Sequence, residues 1–175
     1  CLFNSIAVAA AHAVHAHGLE RVAIIDFDVH HGNGSQDIFA GDPRVMYLSS
    51  HQSPLYPNPG DPAERGVGNL ANATLAPGAD SAAFRAVWQD HLLPRLEDFR
   101  PQLLLVSAGF DGHRLDPLAD LALEAEDYRW LSAELAALAG RHAGGRLVSL
   151  LEGGYSLSAL RACSVAHLQG LLEAR

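Results

Sequence analysis

The stretch Arg21-Val-Ala-Ile-Ile-Asp-Phe27 decides the fold class of this chain. It is a short apolar run with β-branched residues, which is typical of a strand buried on both faces of a parallel sheet. The Ala-rich segment before it, residues 6–17, predicts a helix that ends at Gly18. A helix followed by a fully buried strand indicates an α/β fold.

The same alternation of helix and strand continues along the chain. Further buried strands are predicted at residues 44–49, 102–107 and 146–151. Further helices are predicted at residues 35–40, 80–99 (with a kink or break at Pro94), 124–142, and from 156 or 158 onward. Residues 50–80, which contain several Pro and Gly, are predicted to form a long loop. These elements predict an α/β protein with a parallel, doubly wound sheet and helices on both faces.

Composition limits the classes of function. Hydrophobic residues make up 49% and charged residues 18% of the 175 residues, enough for the core of one α/β domain or a large piece of one. The formal net charge of −8 disfavours nonspecific binding to nucleic acid or to an anionic membrane. No apolar run approaches the roughly 20 residues that a membrane helix needs. We therefore expect neither nucleic acid nor membrane as a partner.

Two features concern the source of the chain. Cys1 and Cys163 form no CxxC pair and no disulfide framework, which favours a reducing cytoplasm. All 12 basic residues are Arg, and Ala and Leu are in excess. Such a bias is typical of a GC-rich genome, so we expect a bacterial, cytoplasmic protein.

Each predicted strand is followed by residues that suit an active site. Those residues are Asp28, His30, His31 and Gly32 after the first strand, Ser50 and His51 after the second, Gly109, Phe110 and Asp111 after the third, and Glu152, Gly153, Gly154 and Tyr155 after the fourth. In a parallel sheet all carboxyl ends meet at one edge, where ligands bind. The sequence therefore predicts an active site at this edge.

Asp28 and His30 are the first candidates for metal ligands. Side chains two apart on an extended segment face the same side, so both can reach one ion. Asp111 arrives from another strand end as a third ligand. Zinc accepts Asp oxygen and His nitrogen, and a catalytic zinc keeps about three protein ligands. The alternatives are a chance Asp-x-His pair and an Asp111 that caps a turn.

The motifs resemble those of histone deacetylases. Asp26-Phe-Asp-Val-His-His-Gly-Asn-Gly34 is similar to their zinc-binding signature. Ser107-Ala-Gly-Phe-Asp111, followed by Asp116-Pro-Leu118, resembles the segment with their second aspartate ligand. Leu151-Glu-Gly-Gly-Tyr155 resembles the segment with their catalytic tyrosine, and Cys1-Leu-Phe-Asn4 the stretch just after their histidine pair. The motifs follow the family order and cover essentially the whole chain.

The resemblance implies a fold, an activity and an origin within a larger domain. Residues 1–175 would be the C-terminal portion of one arginase/deacetylase-like catalytic domain whose N-terminal part is missing. The family's paired histidines would precede Cys1, so this chain would lack its general base and be inactive alone. The activity implied is zinc-dependent removal of acetyl groups from acetyl-lysine or acetylated polyamines. The Glu-Gly-Gly-Tyr form and Asn33 resemble the class II-like bacterial branch, which includes acetylpolyamine amidohydrolases. The oligomeric state stays open.

The resemblance also implies roles for the residues that catalyse. Asp28, His30 and Asp111 would bind zinc, which polarises the amide carbonyl and activates the attacking water. Tyr155 would donate its hydroxyl to the oxyanion. Gly153 and Gly154 would let the backbone turn beside the metal. A structural alternative for Tyr155 is a buried aromatic with a satisfied hydroxyl.

Further implied roles concern supporting and substrate-binding residues. Asp26 would orient one missing histidine and, with Ser49, bind potassium. Asn33 would hold the other missing histidine, making that histidine less basic than an Asp would. Tyr56 and Leu118 would line a narrow acyl-lysine tunnel. Ordinary packing is the alternative for these two, and an ion pair with Arg for Asp26.

Three rival interpretations have different weights. An arginase-like manganese hydrolase shares the fold but needs another carboxylate just beyond His30, where residues 31–33 are His-Gly-Asn. A dinucleotide-binding role lacks a G-x-G-x-x-G after the first strand. A non-catalytic fragment or interaction module stays open, because the upstream segment is absent.

Overall fold

Five parallel strands form one sheet at the centre of the protein. The computed structural model describes residues 3–57 and 60–173. The strands are β1 (Val22–Asp26), β2 (Val45–Gln52), β3 (Leu70–Leu75), β4 (Leu103–Ala108) and β5 (Leu147–Leu151). They lie in the order β3-β2-β1-β4-β5, and each neighbouring pair is parallel. All carboxyl ends therefore meet at one edge.

In the described ranges, six α-helices precede, connect or follow these strands. They are α1 (Ser5–His17), α2 (Asn33–Phe39), α3 (Ser81–Val87), α4 (Leu93–Phe99), α5 (Ala125–His142) and α6 (Leu157–Glu173). The Asn4 side chain caps α1, and Gly18 ends it in the left-handed conformation with φ of 65°. Asp80 caps α3 by accepting from Ala83 N. These local signals explain why the predicted helix boundaries lie within a few residues of those found.

Helices cover both faces of the sheet, as predicted. On β1, Ala23 and Ile25 belong to the core formed with α3, α4, α5 and α6. Val22 and Ile24 point to the opposite face and join the core formed with α1 and α2. A strand covered on both sides is apolar along most of its length, which is why β1 begins with the unbroken hydrophobic run Val22–Ile25 before Asp26 ends it.

Two elements differ from the prediction. Residues 50–80 are not one loop, because β2 extends to Gln52 and Leu70–Leu75 forms β3. The break predicted at Pro94 within helix 80–99 lies just before it, as a π-helical turn at Trp88–Leu92. Pro94 has no backbone N–H to donate to the carbonyl four residues earlier, and a wider turn just before it accommodates that loss.

β5 lies at the edge of the sheet. Among the described residues it pairs only with β4, and its side chains Val148 and Leu151 are 49% and 62% exposed. Every residue of β1, by contrast, is buried. An exposed strand edge with apolar side chains is a surface on which another segment can add. Separately, no helix in the described ranges is long and apolar enough to cross a membrane.

His167 gives the fold a dependence on pH. This α6 residue is 5% exposed, and its Nδ1 and Nε2 lie 2.6 Å from Ser132 Oγ and 2.9 Å from Ser149 Oγ. Burial lowers the pKa of His167 to about 4. Because the unfolded chain takes up this proton near pH 6.5, the stability from neutral His167 is present above that pH and is lost as pH falls toward 4.

We therefore expect acid to destabilise the protein less in His167→Gln than in the wild type. Between pH 7 and pH 4, the free energy of unfolding should fall by up to about 3 kcal/mol more in the wild type than in the variant. This is the free energy that corresponds to the shift in the pKa of His167. Urea unfolding at several pH values would measure it. Identical slopes of unfolding free energy against pH in the two proteins would show that His167 does not contribute.

Candidate active site

The carboxyl ends of β1, β4 and β5 bring the predicted site residues together. Asp28 and His30 follow β1, Asp111 follows β4, and Gly153 and Tyr155 follow β5. β1 is hydrogen-bonded to β4, and β4 to β5, so the three loops are neighbours. Sequence positions more than 120 residues apart thus share one site.

Asp28, His30 and Asp111 form a cluster of possible metal ligands. His30 Nδ1 lies 3.1 Å from Asp28 Oδ1 and 3.0 Å from Asp111 Oδ2. One ligand atom from each residue lies within 4.8 Å of the others, and the described residues contain no second such group. Asp111 is fully buried, whereas His30 is partly exposed and opens the cluster to solvent.

The geometry of this cluster fits zinc. With zinc bonds of about 2.0–2.2 Å to nitrogen and oxygen, neighbouring ligand atoms of a tetrahedral site are about 3.3 Å apart. The two separations at His30 Nδ1 are close to this value. One nitrogen and two carboxylate oxygens match the donors that zinc accepts and leave a position for water or substrate. The residues present therefore fit a catalytic zinc.

Backbone N–H groups hold both carboxylates in place. Gly153 N donates to Asp28 Oδ2 at 2.8 Å, and His30 N donates to Asp28 Oδ1 at 2.8 Å. Val29 N donates to Asp111 Oδ1 at 3.0 Å. Each carboxylate is thus oriented by the loop of another strand, so the ligands are positioned by the sheet itself.

The charges at the cluster favour a cation. Hydrogen bonds to Asp111 and then to Asp28 raise the pKa of His30 to about 10, although burial opposes this. The two carboxylates thus favour a positive charge at the position of His30 Nδ1. Because a metal ligand must be the neutral imidazole, metal binding displaces a proton from His30.

Each glycine of the Gly153-Gly154 turn occupies a position that disfavours a side chain. A Cβ atom at position 153 would overlap Asp111 Oδ2 and lie 2.7 Å from Asp28 Oδ2. Gly154 has a φ of 137°, a conformation that residues with a Cβ rarely adopt. The close approach to the carboxylates accounts for Gly153, and the positive φ accounts for Gly154.

Gly153→Ala is expected to lower the affinity for zinc by about tenfold or more, because the added methyl group displaces both carboxylates. Competition with a chelator would measure the affinity. Gly140→Ala is the matched control, since no atom lies within 4 Å of its added Cβ near the end of α5. It should leave zinc affinity unchanged and raise stability by about 0.5–1 kcal/mol. Unchanged zinc affinity in Gly153→Ala would contradict the geometry.

Tyr155 lies at the mouth of the site. Its side chain is 54% exposed, which does not match the structural alternative of a buried aromatic. Burial of part of the ring and the negative charges of Asp111 and Asp28 raise the pKa of Tyr155. The phenol therefore keeps its proton at neutral pH and can donate a hydrogen bond.

Asp26 is a buried carboxyl behind the ligands. Tyr47 Oη donates to its Oδ2 at 2.9 Å, and Asp28 N donates to its Oδ1 at 3.2 Å. Burial and then the charge of Asp28 raise the pKa of Asp26 well above its usual value. Ser49 is its register partner on β2, but the Ser49 hydroxyl contacts His51 Nδ1 at 2.9 Å. Asp26 is thus fixed by Tyr47 rather than by an Arg.

A cavity of about 700 Å³ opens in front of the cluster. Its lining includes Asp28, His30, Tyr155, Tyr56 and the first residue of α2, Asn33. Tyr56 is 81% exposed at the rim. Leu118 is half-exposed in the loop after Asp111 and is not part of the lining that the structure describes.

Sequence reasoning assigned no role to two residues that shape the site. A Cβ at Gly109 would overlap Asp28 Oδ2, so this glycine gives the ligand its space. Asp116 accepts hydrogen bonds from Tyr155 N and Leu118 N. A glycine directly after β4 was a signal for the first, whereas nothing in the sequence indicates the backbone partners of Asp116.

Comparisons of sequence identify the family of this chain. The family described as "Histone deacetylase domain" matches residues 1–171. The chain is 42% identical over 176 residues to histone deacetylase 14, chloroplastic, of Arabidopsis thaliana, covering 98% of this chain and 42% of that protein. It is 43% identical over 180 residues to the histone deacetylase-like amidohydrolase of Pseudomonas aeruginosa, covering 100% and 47%. The chain thus spans less than half the length of these relatives.

Comparisons of structure extend the likeness to the fold. The crystal structure of the HDA15 HD domain superposes with a TM-score of 0.91 at 35% identity, over 99% of this chain and 50% of that chain. The histone deacetylase Clr3 superposes with a TM-score of 0.88 at 29% identity, over 99% and 31%. The parallel sheet with helices is therefore the arginase/deacetylase-like fold that was predicted. With its family match over nearly all residues, this chain belongs to the histone deacetylase family.

Proposed function

We propose that the complete gene product containing this chain is a zinc-dependent amidohydrolase that removes acetyl groups from acetyl-lysine or acetylated polyamines. The observation that carries the proposal is the cluster of Asp28, His30 and Asp111 beside the exposed Tyr155, at the wall of an open cavity. The family supports deacetylation as the reaction class.

Each residue of the cluster has a part in this chemistry. Asp28, His30 and Asp111 would hold zinc, which when bound acts as a Lewis acid on an amide carbonyl and lowers the pKa of water. Tyr155 would donate a hydrogen bond to the carbonyl oxygen as it gains negative charge. The loop glycines and backbone N–H groups keep the two carboxylates at fixed separations from His30, so the site is organised before substrate enters.

We further propose that the general base comes from outside these 175 residues. Among the described residues, His30 and His31 are the histidines that line the cavity. His30 Nδ1 faces the two carboxylates, and His31 Nε2 lies 3.0 Å from Gln36 Oε1. His30 is assigned to the metal through Nδ1, and the acceptor nitrogen of His31, Nδ1, is buried without a hydrogen-bond partner among the described residues. Because solvent does not reach that nitrogen, we assign the base to neither histidine. The histidines of α1 lie on the face of the sheet, away from this edge.

The cavity suits an aliphatic amine chain more than an anionic substrate. Asp26, Asp28 and Glu152 contribute carboxylates to its lining, and Tyr56 adds an aromatic wall. The net charge of −8 works in the same direction. Tyr56 and Leu118 as tunnel residues, Asn33 as a partner of a histidine, and potassium at Asp26 and Ser49 stay predictions, as does a cytoplasmic location.

A dinuclear, arginase-like reaction has less support. A second metal would need further carboxylates near His30. Among the described residues, only Asp28, His30 and Asp111 form a group with the geometry to bind a metal ion. Metal analysis of the purified complete protein should give about one zinc per chain under this proposal. Two tightly bound metals per chain would favour the arginase-like alternative.

The decisive experiment compares the complete protein with the 175-residue chain on an acetyl-lysine peptide and an N-acetylated polyamine. We expect the complete protein to release acetate in a zinc-dependent manner. The chain alone should be slower by at least about 10² to 10⁴, the usual value of general acid–base catalysis. A zinc-loaded complete protein with no activity on any acylated amine would refute the proposed function, and equal activity of the chain alone would place the base within it.

A further inference from the structure

Asp116 joins two loops of the site. Its Oδ2 accepts hydrogen bonds from Tyr155 N at 2.7 Å and from Ser156 N at 3.2 Å. Its Oδ1 accepts from Leu118 N at 3.0 Å. The carboxylate therefore links the loop after β4 to the turn that carries Tyr155, across about 40 positions of sequence.

We propose that Asp116 is a positioning residue that holds Tyr155 at the correct distance from the cluster of candidate metal ligands. The proposal rests on the role of Tyr155 as hydrogen-bond donor in the proposed function. Asp116 itself contacts neither substrate nor the candidate metal ligands. It acts through the backbone of Tyr155.

The surroundings of Asp116 support this role. The residue is 7% exposed, and in the described ranges no Arg or His forms an ion pair with it. A buried carboxylate without a cation is stabilised by the N–H groups that it accepts from. Losing one of these acceptors leaves a backbone N–H unsatisfied near the site, which the turn can relieve only by moving.

The Tyr155 turn needs such an anchor. Its upstream end is fixed, because Gly153 N donates to Asp28 Oδ2 and Gly153 O accepts from Phe110 N at 2.8 Å. The Tyr155 ring is largely exposed, so packing does not hold it. Asp116 is the corresponding anchor at the downstream end. Hydrogen bonds to Asp28 and to Asp116 therefore fix the two ends of the turn.

Capping of α6 does not account for these contacts. The helix begins at Leu157. The N–H groups bound by Asp116 belong to Tyr155 and Ser156, which precede the helix. Ser156 itself serves the helix end, since its Oγ lies 3.5 Å from Ala159 N. The position of the Tyr155 backbone is thus the feature that Asp116 determines.

A double-mutant cycle in the complete, zinc-loaded protein tests the proposal. Asp116→Asn replaces one acceptor oxygen with a donor, and we expect kcat on an acetyl-lysine peptide to fall about tenfold with a smaller change in KM. In the Tyr155→Phe background the same substitution should change kcat by less than about twofold, because the group it positions is already absent. Zinc content should equal that of the wild type in every variant.

Controls separate the possible outcomes. Asp120→Asn, in the same loop and bonded to Gln52, should leave kcat unchanged. If Asp116→Asn folds poorly, Asp116→Glu keeps the charge but displaces the oxygens, and should show the same non-additive loss. Full activity of either variant, an effect equal in both backgrounds, or loss of zinc from both Asp116 variants would overturn the proposal. If the wild type is inactive, or if Tyr155→Phe keeps the kcat of the wild type, the proposed function itself is refuted.

Discussion

Asp111→Ala is expected to lower zinc affinity by more than about 100-fold and to reduce amide hydrolysis by the complete protein to background. Changes to groups that merely orient a ligand typically cost 10–100-fold in metal affinity, and Asp111 is proposed as a ligand itself. Its Oδ2 lies 3.0 Å from His30 Nδ1, and its Oδ1 holds Val29 N. Chelator competition and metal analysis would measure the loss of zinc, and an acetate-release assay the loss of hydrolysis.

Two companion variants keep this result interpretable. Asp111→Asn preserves the acceptor for Val29 N but is a weaker ligand, so it should also lose zinc while retaining the fold. Asp120→Ala removes an exposed carboxylate nine residues later and should bind zinc as the wild type does. Full zinc occupancy at unchanged affinity in Asp111→Ala would disprove the assignment of this residue as a ligand.

The sheet edge that carries the candidate metal ligands was predictable because burial restricts the residues of the strand before it. β1 is covered on both faces, so Val22 and Ala23 must both be apolar, and the run stands out. The apolar run ends at Asp26, the last residue of β1, and the candidate ligands Asp28 and His30 follow directly in the next loop. Parallel connection then implies that Asp111 and Tyr155 share the same edge, which the structure shows.

β3 was not predictable by the same reasoning. Its sequence Leu-Ala-Asn-Ala-Thr-Leu contains no bulky β-branched pair and lies between Pro- and Gly-containing segments. Its conformation depends on pairing with β2, where Tyr47 is the register partner of Leu70. Pairing with a buried strand outweighs the weak strand propensity of these residues, as tertiary contacts often do.

The supporting residues of the site were predictable only in part. The side chains with a proposed chemical role lie at spacings that a motif can identify: Asp28, His30 and Tyr155. The partners of Asp116 are backbone N–H groups of Tyr155 and Leu118, and backbone groups leave no signal in residue types. A side chain that acts by holding another loop is therefore found from coordinates, whereas a ligand can be found from a motif.

Tyr155→Phe is expected to lower kcat by about 100-fold or more while leaving zinc bound, since losing one oxyanion donor typically costs this much. The hydroxyl makes no contribution to the cluster of Asp28, His30 and Asp111, whose contacts do not include it. KM should change little, because a hydrogen bond that forms mainly in the transition state does not alter ground-state binding. Steady-state kinetics of the complete protein with an acetyl-lysine peptide would measure both constants.

Tyr128→Phe is the matched control for this prediction. Tyr128 is fully buried, and its hydroxyl has no hydrogen-bond partner in the described part of the chain. Removing that oxygen leaves no polar group unsatisfied, so kcat should not change and stability should be equal or higher. Both substitutions remove one phenolic hydroxyl, which lies at the mouth of the site in Tyr155 and in the buried core in Tyr128. Near wild-type turnover in Tyr155→Phe would show that the oxyanion is stabilised by another group, and equal losses in both variants would point to a general effect on the fold.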